Sequence, residues 1–148
     1  MSHHNAAHTT DEEQTLLALL RQKEDLAHVL REHSEVFIDK PFPTHLTHLM
    51  QQNKMTVNRL SALSLLSRSF TYQLCSGIRS PSRDIVVRLA LAMKLSEAET
   101  QSLLRSAQRG ELYPRLRRDA ILLHCVIHGK SLYDTDEALT TMGEAPLL

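Results

Sequence analysis

Apolar positions along this chain recur at spacings of three, four and seven residues, the repeat of a helix face, and no β-branched run marks a strand. The first stretch carries Leu16, Leu17, Leu19, Leu20, Leu26, Val29, Leu30, Val36 and Phe37, interrupted by Lys23 and His33. Thr10 with Glu13 three residues on has the form of a capping box. Together they predict one amphipathic helix from Thr10 to about Phe37, after a polar, His-rich, disordered tail over residues 1–9. That helix either packs on its own domain or pairs two copies.

Asp39-Lys40-Pro41-Phe42-Pro43 breaks the pattern, because two prolines cannot sit inside a helix, and a domain boundary is expected there. Thr44 is then positioned to cap a short helix to about Asn53, with Leu46, Leu49 and Met50 inward. Four more helical segments follow, at about 56–64, 67–76, 82–93 and 96–108. Beyond Gly110, a helix from Pro114 to His128 is expected, with proline in its first turn and Gly129 at its end. Ser131 and Asp134 then open a last helix that stops near Gly143. The organisation reads as a tail (1–9), an accessory helix (10–40), a central helical domain (41–110) and a C-terminal helical pair (111–148). That pair would complete the core, form a dimer or receive a signal.

Composition agrees with an all-α chain of 148 residues: good helix formers dominate, aromatics are 4%, glycines number 4 and tryptophan is absent. Charge changes the picture more. The 17 basic and 17 acidic residues cancel overall, but residues 1–40 hold eight acids against four bases, and residues 41–100 hold seven bases against three acids. A basic centre beside an acidic arm suits an anionic partner for the centre. No apolar run approaches the ~20 residues of a membrane span, and MSHHNAAHTT lacks a signal-peptide core, so a cytoplasmic protein is expected. Cys75 and Cys125 stand alone among apolar neighbours and read as buried free thiols.

Residues 55–96 carry the functional pattern. Thr56 can cap a short helix with Leu60 and Leu63 inward, Ser64-Leu65-Leu66 forms a tight turn, and Ser67 can cap a second helix closed by Gly77. The second helix offers Arg68, Ser69, Phe70, Tyr72 and Gln73 on one side, with Thr71 and Leu74 inward. Ile78-Arg79-Ser80-Pro81-Ser82 is a loop, and Ser82 caps the next helix, whose buried face is Leu89, Ala90, Ala92 and Met93. Two short helices at a tight turn, the second polar and basic at its start, are what reading the DNA major groove requires.

Across about Leu46–Glu99 the chain resembles the lambda-repressor/Cro-like, or XRE-type, helix-turn-helix family. The resemblance lies in Met55-Thr56, Leu60, Ser67-Arg68-Ser69, Ser76-Gly77, Arg79, Pro81-Ser82, Leu89-Ala90 and Ala92-Met93-Lys94-Leu95-Ser96, without a gap over 55–96. It implies a five-helix DNA-binding domain, here with an extra N-terminal helix and two extra C-terminal helices, acting as a homodimer on palindromic double-stranded DNA. It further implies that Arg68, Ser69, Tyr72 and Gln73 face base edges, while Thr56, Ser67, Arg79 and Ser80 contact phosphate. Leu65 stands where that family usually has glycine; a left-handed Leu65 would cost about 1–2 kcal/mol. Ser61 stands where alanine is usual, and Val57 where glutamine often is. Arg83 and Arg88 read as ordinary surface charge.

Phe70 and Tyr72 on the second helix, and zero net charge, support a different use of the same fold: a protein-interaction module, an adaptor or partner-regulated protein. No catalytic constellation stands out, so no enzyme is expected and no cofactor is implied. Gly129-Lys130-Ser131 lacks the earlier glycine of a phosphate-binding loop, His124 standing in its place. His124 and His128 lie four apart on one helix, but no third metal ligand is evident, and no metal is expected there, at His45 and His48, or at His3, His4 and His8.

Overall fold

The computed structural model describes residues 11–33 and 40–148, and every element among them is helical. The tail 1–9, the Thr10 cap and the apolar positions Val36 and Phe37 lie outside the described residues. The chain divides into two compact units, Met1–Ile38 and Asp39–Leu148.

In the first unit the expected single helix is two: α1 (Asp11–Gln22) and α2 (Leu26–Glu32). The break falls at Lys23-Glu24-Asp25, where the Asp25 carboxylate accepts from the His28 amide and so caps a new helix start. An aspartate is a poor interior residue and a good cap, and here the local preference prevailed over the apolar periodicity. Leu17, Leu20, Leu26 and Leu30 are exposed, and Val29 is buried.

The second unit contains α3 (Phe42–Gln52), α4 (Val57–Ser64), α5 (Arg68–Ser76), α6 (Arg83–Ala92), α7 (Glu97–Ser106), α8 (Arg117–Ile127) and α9 (Leu132–Thr141). Serine or threonine hydroxyls cap five of them. Thr56, Ser67, Ser82, Ser96 and Ser131 accept from the amides three residues on, at 3.0–3.2 Å. Ser96 and Glu99 complete a reciprocal capping box. Two starts differ from the expectation. Helix α3 begins at Phe42, two residues before Thr44, because Pro43 falls in the first turn where its missing amide costs nothing. Helix α8 begins at Arg117, leaving Pro114 in the turn before it.

One apolar cluster spans the unit. Leu46, Leu60, Leu74, Val86, Leu89, Leu103 and Leu104 of α3–α7 share it with Leu122, Leu132 and Leu139 of α8 and α9. Residues 111–148 therefore complete the core, and no break in packing follows Gly110. Polar anchors reinforce the join. Arg83 forms a two-pronged ion pair with the buried Asp119 at 2.7–2.8 Å and donates to the Gly110 and Glu111 carbonyls. Gln101 clips the Leu112 backbone through both its amide and its carbonyl, each at 2.8 Å. Arg118 pairs with Asp84 and reaches the Ala145 and Pro146 carbonyls. No helix of the described residues is long and apolar enough to cross a membrane.

Candidate nucleic-acid interface

Helices α4 and α5 are joined by Leu65, Leu66 and Ser67. Leu65 takes the left-handed conformation (φ 56°, ψ 38°), the strained option raised by its sequence position. The turn closes through the Leu66 amide to the Ser61 carbonyl at 3.0 Å. Ser67 then starts α5: its hydroxyl accepts from Phe70 and its carbonyl accepts from the buried Thr71 hydroxyl at 2.9 Å. That leaves the Arg68 and Ser69 amides in the first turn with no acceptor inside the helix.

Packing decides which side of α5 is outward. Thr71 and Leu74 are wholly buried, and Leu60 faces inward from α4. Ser67, Arg68, Ser69 and Tyr72 are exposed, Tyr72 by 63%. Gln73 is half-buried. Phe70 is not on the outward face as expected; it is half-buried against the core, and the Arg79 guanidinium lies 5.7 Å over its ring. A cation over the ring face fastens the loop after α5 to α5 itself, as does the Arg79 amide on the Gln73 carbonyl at 3.2 Å. Gly77 ends α5 at φ 83°, and a Cβ there would meet Pro43 at 3.2 Å, so glycine is favoured on two grounds. Thr56 and Ser80 are exposed, and no hydrogen bond among the described residues ties either to α5.

Electrostatics separate this region from the rest of the unit. Between Lys40 and Asp84 the sequence contains no aspartate or glutamate. Lys54, Arg59 and Arg68 are exposed and, among the described residues, have no ion pair or side-chain hydrogen bond. Neither a motif nor a cap marks Lys54 and Arg59 in the sequence; the acid-free run is the signal that points to them.

Arg83 and Arg88 are not free surface charges. Arg83 is committed to Asp119, and Arg88 donates to the Ser64 and Leu65 carbonyls at the α4–α5 turn. Burial lowers the Arg88 pKa, against the weaker pull of Asp136 and Asp84. For Asp119, burial raises the carboxyl pKa, but the Arg83 hydrogen bond, the Tyr113 amide and the charges of Arg83 and Arg118 outweigh it and hold the group below its usual value.

Elsewhere, a recess of about 660 Å³ between α8 and α9 mixes Arg117 and Lys130 with Asp134 and Glu137 on its rim, and Glu144 already holds Arg117. The His124 and His128 ring centroids lie 4.4 Å apart with their planes tilted by 44°, and among the described residues no group of three metal-binding side chains forms. No protein-family model, curated protein or solved structure matches this chain.

Proposed function

We propose that residues 41–110 form a lambda-repressor-like helix-turn-helix domain, and that the protein is a sequence-specific DNA-binding transcriptional regulator. The observation that carries this reading is the outward face of α5. Arg68, Ser69 and Tyr72 stand exposed on a helix whose capped start lies in a stretch of chain free of acidic residues. An α-helix fits the major groove, its first turn meets base edges, and its unpaired amides suit phosphate. Arg68 would pair with a guanine, and Tyr72 would touch a thymine methyl. Gln73, half-buried, would reach a base only from the edge of that face. Ser67, Thr56, Arg79 and Ser80, with Lys54 and Arg59 added, would contact phosphate. Two copies would read half-sites about 34 Å apart, one helical turn.

Selection of bound sequences from random double-stranded DNA, with mass by light scattering, tests the reading. One enriched palindromic motif and a dimer mass are expected; failure to enrich any motif would overturn it. Arg68→Ala should weaken the selected site by about 1–3 kcal/mol and relax one base position. Equal loss on every sequence would make Arg68 a phosphate contact instead.

A protein-interaction module is the second reading, favoured by the exposed apolar surface of Tyr72 (63%) and Ile78 (69%) beside the same face. Gel shifts with genomic DNA at low salt discriminate: no retention at micromolar protein selects the module.

A further inference from the structure

We propose that Arg88 is the positioning residue for α5. Its guanidinium, reaching from α6, holds the α4–α5 turn in the left-handed conformation that Leu65 would not keep alone.

Leucine avoids this backbone region because its Cβ crowds the carbonyl that follows. Lys54, Lys94 and Gln108 take the same conformation after α3, α6 and α7, and Leu65 differs from them in carrying an arginine donor on its own carbonyl. What the conformation achieves is the presentation of two adjacent carbonyls to one donor. Arg88 Nε and Nη2 donate to the Ser64 oxygen at 3.1 and 2.9 Å, and Nη2 also donates to the Leu65 oxygen at 2.7 Å. The last carbonyls of a helix lack partners within it, and they form its negative pole. A planar, charged fork spanning both fixes the orientation of that peptide, which a point-like ammonium cannot do.

The clamp stands on a rigid base. Val87 and Leu89, flanking Arg88 on α6, are fully buried, so the guanidinium is anchored from the core. Among the described residues no carboxylate bonds to it; the helix end supplies its nearest counter-charge, with Asp136 and Asp84 acting at longer range. The side of the turn facing the core is held as well: Ser64 is buried and its hydroxyl donates to the Leu60 carbonyl. Because Ser67 starts α5 two residues after Leu65, the turn sets the direction in which Arg68, Ser69 and Tyr72 point. Arg88 would thus govern recognition without touching the partner. The part of this inference concerning DNA rests on the function proposed above; the clamp itself does not.

The test is a cycle of Arg88→Ala, Leu65→Gly and the double variant, read by amide hydrogen exchange and by affinity for the selected DNA. Glycine adopts the left-handed turn without strain, so it should make the clamp less necessary. Its effect on the unfolded chain cancels in the cycle. Arg88→Ala should speed exchange over residues 66–72 by about tenfold or more, the order expected from losing charge-assisted hydrogen bonds. Protection in α8 should change little. In the Leu65→Gly background the same change should cost about threefold or less, and DNA affinity should follow the same pattern. Arg88→Lys, which keeps the charge and a donor, should recover only part of the protection, and it serves where Arg88→Ala fails to fold. Independent, multiplying effects of the two substitutions, uniform loss of protection across all helices, or full recovery with lysine would each overturn the proposal. If wild-type protein retains no DNA, the DNA-binding reading fails, and the exchange cycle still decides the clamp.

Discussion

Arg68 and Arg118 are arginines on short helices of the same compact unit, and their environments are opposite. Arg118 pairs with Asp84 at 2.9 Å and reaches two carbonyls of the C-terminal segment. Arg68 lies exposed, in a stretch where the chain supplies no acid. The contrast extends beyond the pair. Arg83, Arg105, Arg117 and Arg118 are all matched to carboxylates of the second half of the chain, whereas Lys54 and Arg59, like Arg68, are not. One region uses most of its cations to hold itself together, Arg115 and Lys130 excepted; the other leaves Lys54, Arg59 and Arg68 available to an outside anion. Formal neutrality of the whole chain conceals this division.

The largest expected effect lies on the internal side. Asp119→Ala removes a carboxylate that is 3% exposed, bonded to Arg83 and to the Tyr113 amide. A loss of about 2–3 kcal/mol in denaturant unfolding is expected, below the roughly 3–5 for breaking a fully buried pair because Arg83 is about one-third exposed and keeps two carbonyl partners. The sign with pH follows from the depressed carboxyl. The wild-type advantage should be complete above its ordinary value of 3.8 and should be lost as pH falls from there through the lower folded value. Affinity for DNA per folded molecule should not change. A variant of unaltered stability, or one that loses DNA binding while still folded, would break the comparison.

Much of this unit was legible in the sequence, and the reasons are local. Caps at Thr56, Ser67, Ser82 and Ser131 are one-residue signals with a fixed offset, and each helix start they mark lies where the hydroxyl satisfies an amide. The inward positions Thr71 and Leu74 followed from periodicity alone. What escaped depended on partners distant in sequence. Arg83 and Arg88 have the composition of surface charge, and only their contacts, Asp119 36 residues away and the Ser64 carbonyl 24 away, give them a role. Phe70 is expected outward with four other residues, but five residues cannot share one face of a nine-residue helix, and sequence alone does not say which turns in. The break in the N-terminal helix was signalled by Asp25, but the leucines on both sides of it outweighed that single residue.

The comparison sharpens with a matched pair of smaller changes. Arg59→Ala removes a free cation beside the Thr56 cap, and Arg117→Ala removes one held by Glu144 at 2.6 Å. Arg59→Ala should leave stability within about 0.5 kcal/mol of wild type. It should weaken DNA equally on all sequences and lower the slope of log affinity against log salt by about 1. Arg117→Ala should cost less than about 1 kcal/mol of stability, because its side chain is 63% exposed, and should not alter the salt slope. Equal effects of the two on DNA would erase the division between regions.

The smallest effect concerns a histidine on the basic side. His45 on α3 is half-buried, and its Nδ1 is the one buried side-chain polar atom without a hydrogen-bond partner among the described residues. Burial lowers its pKa below 6.5, and the charges of Lys40, His48 and Arg105 lower it further against the opposing pull of Glu99. The folded protein therefore takes up this proton less readily than the unfolded chain. Below pH 6.5 the unfolded chain binds it first, so this group lowers stability as pH falls, until the folded pKa is passed and the penalty levels off. His45→Leu fills the same partly apolar site without a titrating group. The difference in stability between wild type and variant, followed by denaturant unfolding across pH, should be flat above 6.5 and should move against wild type below it. A difference independent of pH, or one that moves towards wild type in acid, would mean that His45 finds a proton acceptor in the folded state. The depression that burial, and after it the neighbouring cations, impose on His45 would then be absent.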